Sequence, residues 1–185
     1  MFEKFIVTYG DIQHRQEISN ENLETIKQHL PEDLFVFLQK GKGSYMDGFL
    51  WIVNPIEYKD IVDEVYLPLQ NPSICFARDA FGNLYLWEDN SIIFVDINHS
   101  KQEVVGRKAT VFFDLKMTDK GFLEKRLPYN NFLEAKNILG ELQSDECYGY
   151  QHLLGMGGSE KITNLKKIKV KEYISITAQA LGKIQ

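Results

Sequence analysis

Residues 74–105 read ICFARDAFGNLYLWEDNSIIFVDINHSKQEVV and decide the fold class. Four short runs rich in apolar residues lie within this stretch, at 74–77, 84–87, 92–95 and 103–105. Residues that favour turns separate these runs, at 79–82, 89–90 and 98–99. Short strands at this spacing are typical of an antiparallel meander. The stretch therefore predicts four consecutive strands of one antiparallel sheet.

Helical patterns flank the predicted meander on both sides. Before it, apolar residues recur at helical spacing within 2–9, 20–30 and 31–38, and residues 49–53 favour a short buried strand. Asn54-Pro55 begins a further helix, because asparagine caps a first turn and proline fits its first position. After residue 108, the patterns predict a helical segment around 112–115, a helix that begins at Asp119, and helices over 130–139 and 170–181. Residues 148–154 favour an extended chain.

These patterns predict an α+β fold in which an antiparallel β meander is flanked by helices and a mainly helical C-terminal part packs against it. We place an N-terminal domain at 1–107 and a C-terminal domain at 108–185. No proline-rich linker or low-complexity segment separates the two. The two parts are therefore expected to pack together rather than to be tethered.

Composition limits the class of partner. The chain has 185 residues, 44% of them hydrophobic, which is enough to form a substantial core. The 26 acidic and 21 basic residues give a formal charge of −5, which argues against nucleic acid because phosphate binding needs concentrated Lys and Arg. The lysines at 166, 167, 169 and 171 alternate with apolar residues, and we interpret them as the solvated face of one amphipathic element.

The expected location is the cytoplasm, without a membrane partner. The N-terminal residues lack the pattern of a signal peptide. No window of the sequence approaches the roughly 20 apolar residues that a membrane span requires. Cys75 and Cys147 are expected to be free thiols in a reducing compartment, with a disulfide between them as the alternative.

Signals for catalysis or for a cofactor are weak. The four histidines are scattered, so a zinc site is only a minor alternative. The glycine run at 155–158 lacks the Lys and Ser/Thr that follow the last glycine of a phosphate loop, and we interpret it as a turn. Acidic pairs such as Asp145-Glu146 favour a polar loop or a binding edge over acid/base catalysis. We predict no catalytic residue, no metal ligand and no cofactor.

Acidic residues next to aromatic residues form the most informative surface signal. This combination suits a protein-binding surface, in which an aromatic anchor is surrounded by polar contacts. The predicted partner-binding residues are Tyr45, Asp47, Glu88, Asp89, Asp145, Glu146, Tyr148 and Tyr150. The alternative for the aromatic residues is a place in the core, which is the favoured interpretation of Trp51 and Trp87.

Two pairs of segments resemble known domains. Residues 41–55, GKGSYMDGFLWIVNP, and 76–88, FARDAFGNLYLWE, resemble the GAD-like domain. Residues 141–150, ELQSDECYGY, and 157–165, GGSEKITNL, resemble the C-terminal domain that follows it in immunity proteins of type VI secretion DNase toxins. Together these segments cover roughly residues 20–182.

The resemblance implies a non-catalytic immunity protein that binds a cognate bacterial toxin and prevents self-killing, with a DNase as one candidate toxin. It also implies a mixed fold of sheet and helices. Two alternatives stay open: a general protein-interaction or regulatory module without a toxin partner, and an enzyme that uses acidic pairs or the glycine loop at 155–161. The sequence does not define the oligomeric state.

Overall fold

The computed structural model describes residues 1–68 and 72–185 and confirms the α+β fold class. Seven antiparallel strands form one meander sheet, in which each strand pairs with its neighbours in sequence. The strands are β1 (Gln13–Gln16), β2 (Lys42–Tyr45), β3 (Leu50–Ile52), β4 (Ile74–Asp79), β5 (Leu84–Glu88), β6 (Ser91–Asp96) and β7 (Lys101–Gly106). The four strands predicted within 74–105 are thereby confirmed as β4 to β7, and the strand predicted at 49–53 as β3.

Within the described residues, seven α-helices surround this sheet. They are α1 (Glu3–Tyr9), α2 (Asn20–Ile26), α3 (Glu32–Leu38), α4 (Pro55–Val65), α5 (Lys120–Arg126), α6 (Tyr129–Leu139) and α7 (Val170–Leu181). The predicted caps explain two of the helix starts: the Asn54 side chain accepts a hydrogen bond from the Ile56 amide, and Asp119 accepts one from the Phe122 amide. A π-helical segment at Val111–Lys116 joins the sheet to the C-terminal helices.

Helices cover both faces of the sheet, which makes its central strands apolar on both sides. In β5, Leu84 and Leu86 pack into a core with α4 and α7, whereas Tyr85 and Trp87 pack into a larger core with α1, α3 and the π-helical segment. Successive side chains of a strand point to opposite faces. This double burial explains why β5 and β6 are nearly continuous apolar runs.

A two-stranded hairpin of β8 (Glu146–Tyr150) and β9 (Leu165–Lys169) lies against the end of the meander. The Tyr148 amide of β8 donates to the carbonyl of Ala80 in the β4–β5 turn, over 2.8 Å. The lysine-rich stretch 166–171 is therefore not one amphipathic element, because β9 ends at Lys169 and α7 begins at Val170. The predicted domain boundary between residues 107 and 108 stays a prediction.

Both cysteines are free and buried. Burial raises the pKa of the Cys147 thiol to about 12, and it also raises the pKa of Cys75. Neither thiol is therefore a reactive thiolate. Within the described residues, no helix combines the length and the apolar character needed to cross a membrane.

Candidate partner-binding surface

Half of the predicted binding residues lie inside the fold, which corrects the expectation that they form an exposed binding surface. These are Tyr45, Glu88, Tyr148 and Tyr150, each at most 4% exposed. Their side chains are already packed within the protein, so they present no surface to a partner in this conformation. Trp51 and Trp87 are also buried, which confirms the core interpretation of both.

Local contacts show what the buried tyrosines do instead. The Tyr45 ring lies 5.1 Å from the Phe5 ring and 5.7 Å from the Phe37 ring, measured between ring centres. The Tyr148 hydroxyl donates to the carbonyl oxygen of Gly140 over 2.5 Å and so fixes the end of α6. Burial raises the pKa of both tyrosines to about 12, so both stay neutral at physiological pH. These side chains stabilise the core.

Glu88 is buried at the end of β5 together with polar partners. Its carboxylate accepts a hydrogen bond from the Ser73 hydroxyl. Burial, and then the Glu88 carboxylate, raise the pKa of Tyr66 to about 12. Glu88 is therefore part of an internal polar contact rather than of an acidic surface.

The other four predicted residues reach solvent. Asp47, Asp89 and Asp145 are exposed, and Glu146 is half-buried. The Lys169 ammonium is 2.5 Å from Asp145, and its hydrogen bond lowers the pKa of that carboxyl. Glu146 accepts a hydrogen bond from the Gln143 amide over 2.9 Å and lies 4.0 Å from Lys167. Within the described residues, Asp47 and Asp89 form no ion pair.

The four acids that reach solvent do not form one surface. Asp47 lies in the β2–β3 turn, at the end of the sheet where β4 finishes, because Leu50 pairs with Asp79. Asp89 lies in the β5–β6 turn, at the other end of the sheet. Strand length and strand spacing place the two turns roughly 20 Å apart. Asp47 thus lies at the end of the sheet that contacts the β8–β9 hairpin, whereas Asp89 lies at the opposite end.

Three adjoining depressions surround His14, and together we call them the His14 groove. The smallest, of about 170 Å³, is bordered by Asp47 and Glu141, and the next, of about 290 Å³, by residues 142–144. The largest, of about 480 Å³, lies between residues of the N-terminal and C-terminal halves of the chain. Its lining includes Lys42, Trp51 and Tyr58 from the N-terminal half and Asp145, Lys169 and Lys171 from the C-terminal half.

Two glycines let the edge strand β1 form one wall of this groove. A Cβ atom on Gly41 would lie 2.4 Å from the carbonyl oxygen of Gln16, and one on Gly43 would lie 2.5 Å from that of Gln13. Both distances are far below van der Waals contact, so β1 can lie against β2 only if both positions are glycine. The pairing is bulged between Gln13 and Gln16, which places His14 in the widened part of the strand.

Trp51 forms the floor of the groove and contacts the buried side chain of Arg78 and the exposed side chain of His14. The guanidinium carbon of Arg78 lies 4.9 Å from the centre of the Trp51 ring. On the solvent side, the centre of the His14 ring lies 6.1 Å from the centre of the Trp51 ring. The two rings are nearly parallel, with an interplanar angle of 19°. The Trp51 indole N–H donates to the carbonyl oxygen of Gly48 over 2.8 Å. The sequence patterns did not single out His14 or Arg78.

The remaining chemical candidates are structural. Burial raises the pKa of Asp79 to about 7, but this residue is fully buried and its carboxylate accepts hydrogen bonds from Phe81 and Asn83. A general acid or base must reach its substrate, so we assign Asp79 to the fold. Within residues 1–68 and 72–185, no group of three His, Cys, Asp or Glu side chains is placed to hold a metal ion.

Comparison with solved structures supports the fold. The crystal structure of Atu4351 from Agrobacterium tumefaciens matches with a TM-score of 0.79 at 20% sequence identity. The match covers 97% of this chain and 89% of that chain. At this identity the likeness concerns the fold alone. The comparison with curated proteins finds no match.

Comparison with protein families confirms both parts of the resemblance. Residues 1–101 match the GAD-like domain. Residues 107–180 match the family described as T6SS immunity protein Tdi1, C-terminal, where T6SS stands for the type VI secretion system. Immunity proteins are typically non-catalytic. The chain therefore belongs to the GAD-like family, and its C-terminal domain, of the T6SS immunity protein Tdi1 type, implies a T6SS immunity protein.

Proposed function

We propose that this protein binds a cognate T6SS effector, a DNase toxin, and neutralises it by covering its active face. The observation that carries the proposal is the match of residues 107–180 to the C-terminal domain of a T6SS immunity protein. A DNase must present basic groups to the phosphates of DNA. An inhibitor with a formal charge of −5 is electrostatically suited to such a face.

The proposed contact face is the acidic rim of the His14 groove. Asp47 and Asp145 border adjoining depressions of this groove, and Glu146 follows Asp145 directly. The Asp47 carboxylate has no ion pair within the described residues, so it can meet a basic group without losing an internal one. The buried tyrosines support this face from below rather than contact the toxin.

Co-expression tests the function itself. We expect the chain to co-purify with the toxin candidate encoded beside its gene and to stop that toxin from cleaving DNA in vitro. It should also allow cells that produce the toxin to grow. A folded chain that neither captures the toxin nor protects these cells would instead favour a general interaction module.

Matched substitutions test the face. In Asp47→Asn we expect a slower association with the toxin, most visibly at low salt, because charges at a rim act mainly on the association rate. Asp89→Asn removes an equally exposed acid at the other end of the sheet and should associate like the natural chain. Equal slowing in both variants would show that only net charge matters and would reject this face.

A further inference from the structure

The smallest depression of the His14 groove, of about 170 Å³, has the size of a pocket for a single side chain. We call it the Ser44 pocket. Usual small-molecule sites begin at roughly 300 Å³, so this pocket is too small for them. Its lining combines polar and charged groups with aromatic rings and includes Ser44, Asp47, Trp51, Phe132, Lys136 and Glu141. Two acids against one lysine in this set favour a cationic occupant.

An unsatisfied polar atom lies at the base of the pocket. Ser44 is on β2, and because successive side chains of a strand point to opposite faces, it points away from the face of Tyr45. It shares its face with Trp51, its register partner on β3. Ser44 is fully buried, and its hydroxyl has no hydrogen-bond partner among the residues that the structure describes. A buried hydroxyl without a partner destabilises a fold, and an occupant of the pocket can supply the missing bond.

The lysine of the pocket is already engaged, whereas the Asp47 carboxylate is not. The Lys136 ammonium donates to the backbone carbonyl of Asp47 over 3.0 Å and lies 3.5 Å from the Glu141 carboxylate. The Asp47 side chain is exposed and forms no ion pair within residues 1–68 and 72–185. Asp47 and His14, which both line the pocket, have φ angles of 55° and 52°. A left-handed backbone is uncommon outside glycine and is concentrated at functional sites.

We propose that the Ser44 pocket receives an arginine side chain of the toxin, an inference that rests on the proposed function and specifies its contact. Asp47 at the mouth pairs with the guanidinium, and the Ser44 hydroxyl at the base accepts one of its N–H groups. A guanidinium suits this lining better than an ammonium, because its five donors lie in one plane and it stacks on aromatic rings. Arginine is also among the residues that most often anchor protein interfaces.

N-acetyl-arginine amide tests the pocket without the toxin, because it carries the side chain without terminal charges. The indole N–H resonances of Trp51, which lines the pocket, and of Trp87, which does not, are followed by NMR as the full chain is titrated. We expect a saturable shift of Trp51 alone at millimolar concentrations, and about five-fold weaker binding of the neutral analogue N-acetyl-citrulline amide. The absence of a saturable Trp51 shift would overturn the proposal. Equal binding of the citrulline amide would overturn the role of charge, and equal binding of N-acetyl-lysine amide would overturn the preference for arginine.

Charge-matched variants locate this binding. Asp47→Asn should bind N-acetyl-arginine amide about five-fold more weakly. Asp89→Asn removes an exposed acid at the other end of the sheet and should bind like the natural chain. An equal loss in the two variants would identify a general charge effect and reject the pocket.

Ser44→Ala separates a ligand contact from a structural role, because a structural hydroxyl stabilises the free chain and this one should not. Urea denaturation of the free chain should show unchanged or higher stability. The complex with the toxin should dissociate about five-fold faster, whereas Ser91→Ala, next to the β5–β6 turn, should leave dissociation unchanged. Lower stability of Ser44→Ala, or an unchanged dissociation rate, would overturn the role of this hydroxyl. A toxin that fails to co-purify with the natural chain would reject the proposed function instead, while the arginine titration still tests the pocket.

Discussion

Two polar regions of this protein use the same residue types for opposite purposes: the buried network around Asp79 and the exposed rim of the His14 groove. In the network, Asp79 Oδ1 accepts from the amides of Phe81 over 2.8 Å and of Asn83 over 3.1 Å. Its Oδ2 accepts from the Asn83 side chain over 2.9 Å. Both carboxylate oxygens of Asp79 thus accept hydrogen bonds from groups inside the protein, at the β4–β5 turn.

The buried network continues into the C-terminal half. The Asn98 side chain donates to Asn83 Oδ1 over 3.0 Å and accepts from the Tyr173 hydroxyl over 2.6 Å. That hydroxyl in turn accepts from the Tyr150 amide over 3.1 Å. These hydrogen bonds therefore join the meander to α7 and to β8, and they fix the position of these C-terminal elements relative to the sheet.

At the rim, by contrast, the carboxylates of Asp47 and Asp145 face water, and among the residues that the structure describes neither accepts a hydrogen bond from the backbone of another residue. An exposed carboxylate adds little to stability, whereas a buried one must be fully hydrogen-bonded or it destabilises the fold. The comparison shows that burial, and not residue type, separates the aspartates that hold the fold from those available to a partner.

The largest expected effect is that of Asp79→Asn. The new amide would direct N–H groups at the Asn83 side chain, so two donors would face each other without water. We expect a loss of about 2 to 3 kcal/mol in the free energy of unfolding, measured by urea denaturation. Asp47→Asn is the matched control, and we expect it to change stability by less than about 0.5 kcal/mol. Equal effects of the two substitutions would remove the distinction between the regions.

The pH dependence of stability gives the second test. Burial raises the pKa of Asp79 to about 7, above the value of about 3.9 in an unfolded chain. Between these values the folded state binds a proton that the unfolded state does not, so this group stabilises the fold at low pH and the stabilisation is lost as the pH rises toward 7. We expect its contribution to fall by up to about 1.4 kcal/mol per pH unit.

The Asp79→Asn variant has no carboxyl group to titrate at this position, so its stability serves as the reference at each pH. The difference in unfolding free energy between the natural chain and this variant should therefore narrow as the pH rises from about 5 to about 7. A difference that stays constant or widens across this window would show that Asp79 is ionised in the folded protein at low pH.

The sequence predicts the interior of this fold better than its edges, for a physical reason. Strands β4 to β6 are buried on both faces, so apolar runs mark them clearly. All four residues of β1 are exposed, and β1 therefore carries no apolar alternation. Gly41 and Gly43 are the local sign in the sequence that another strand approaches β2.

The candidate site was harder to predict because aromatic residues next to acids occur both on exposed surfaces and in the buried core. The tyrosines of the predicted surface lie on β2 and β8 among neighbours that are also buried, and their side chains pack into the core. Sequence spacing alone does not fix which face of a short strand is buried. Arg78 was missed since a lone arginine within an apolar strand has no neighbour in sequence that reveals its contact with Trp51 or Ser144.

The smallest expected effect concerns the junction between the two regions, in Tyr173→Phe. This substitution removes a hydroxyl that donates to Asn98 and accepts from the Tyr150 amide, while the ring keeps its place in the core. We expect a loss of about 1 kcal/mol in unfolding free energy. Tyr129→Phe, at a half-buried ring whose hydroxyl has no hydrogen-bond partner within the described residues, is the control. If Tyr173→Phe matched its control while Asp79→Asn remained costly, the network would hold the β4–β5 turn alone, without joining the two halves of the protein.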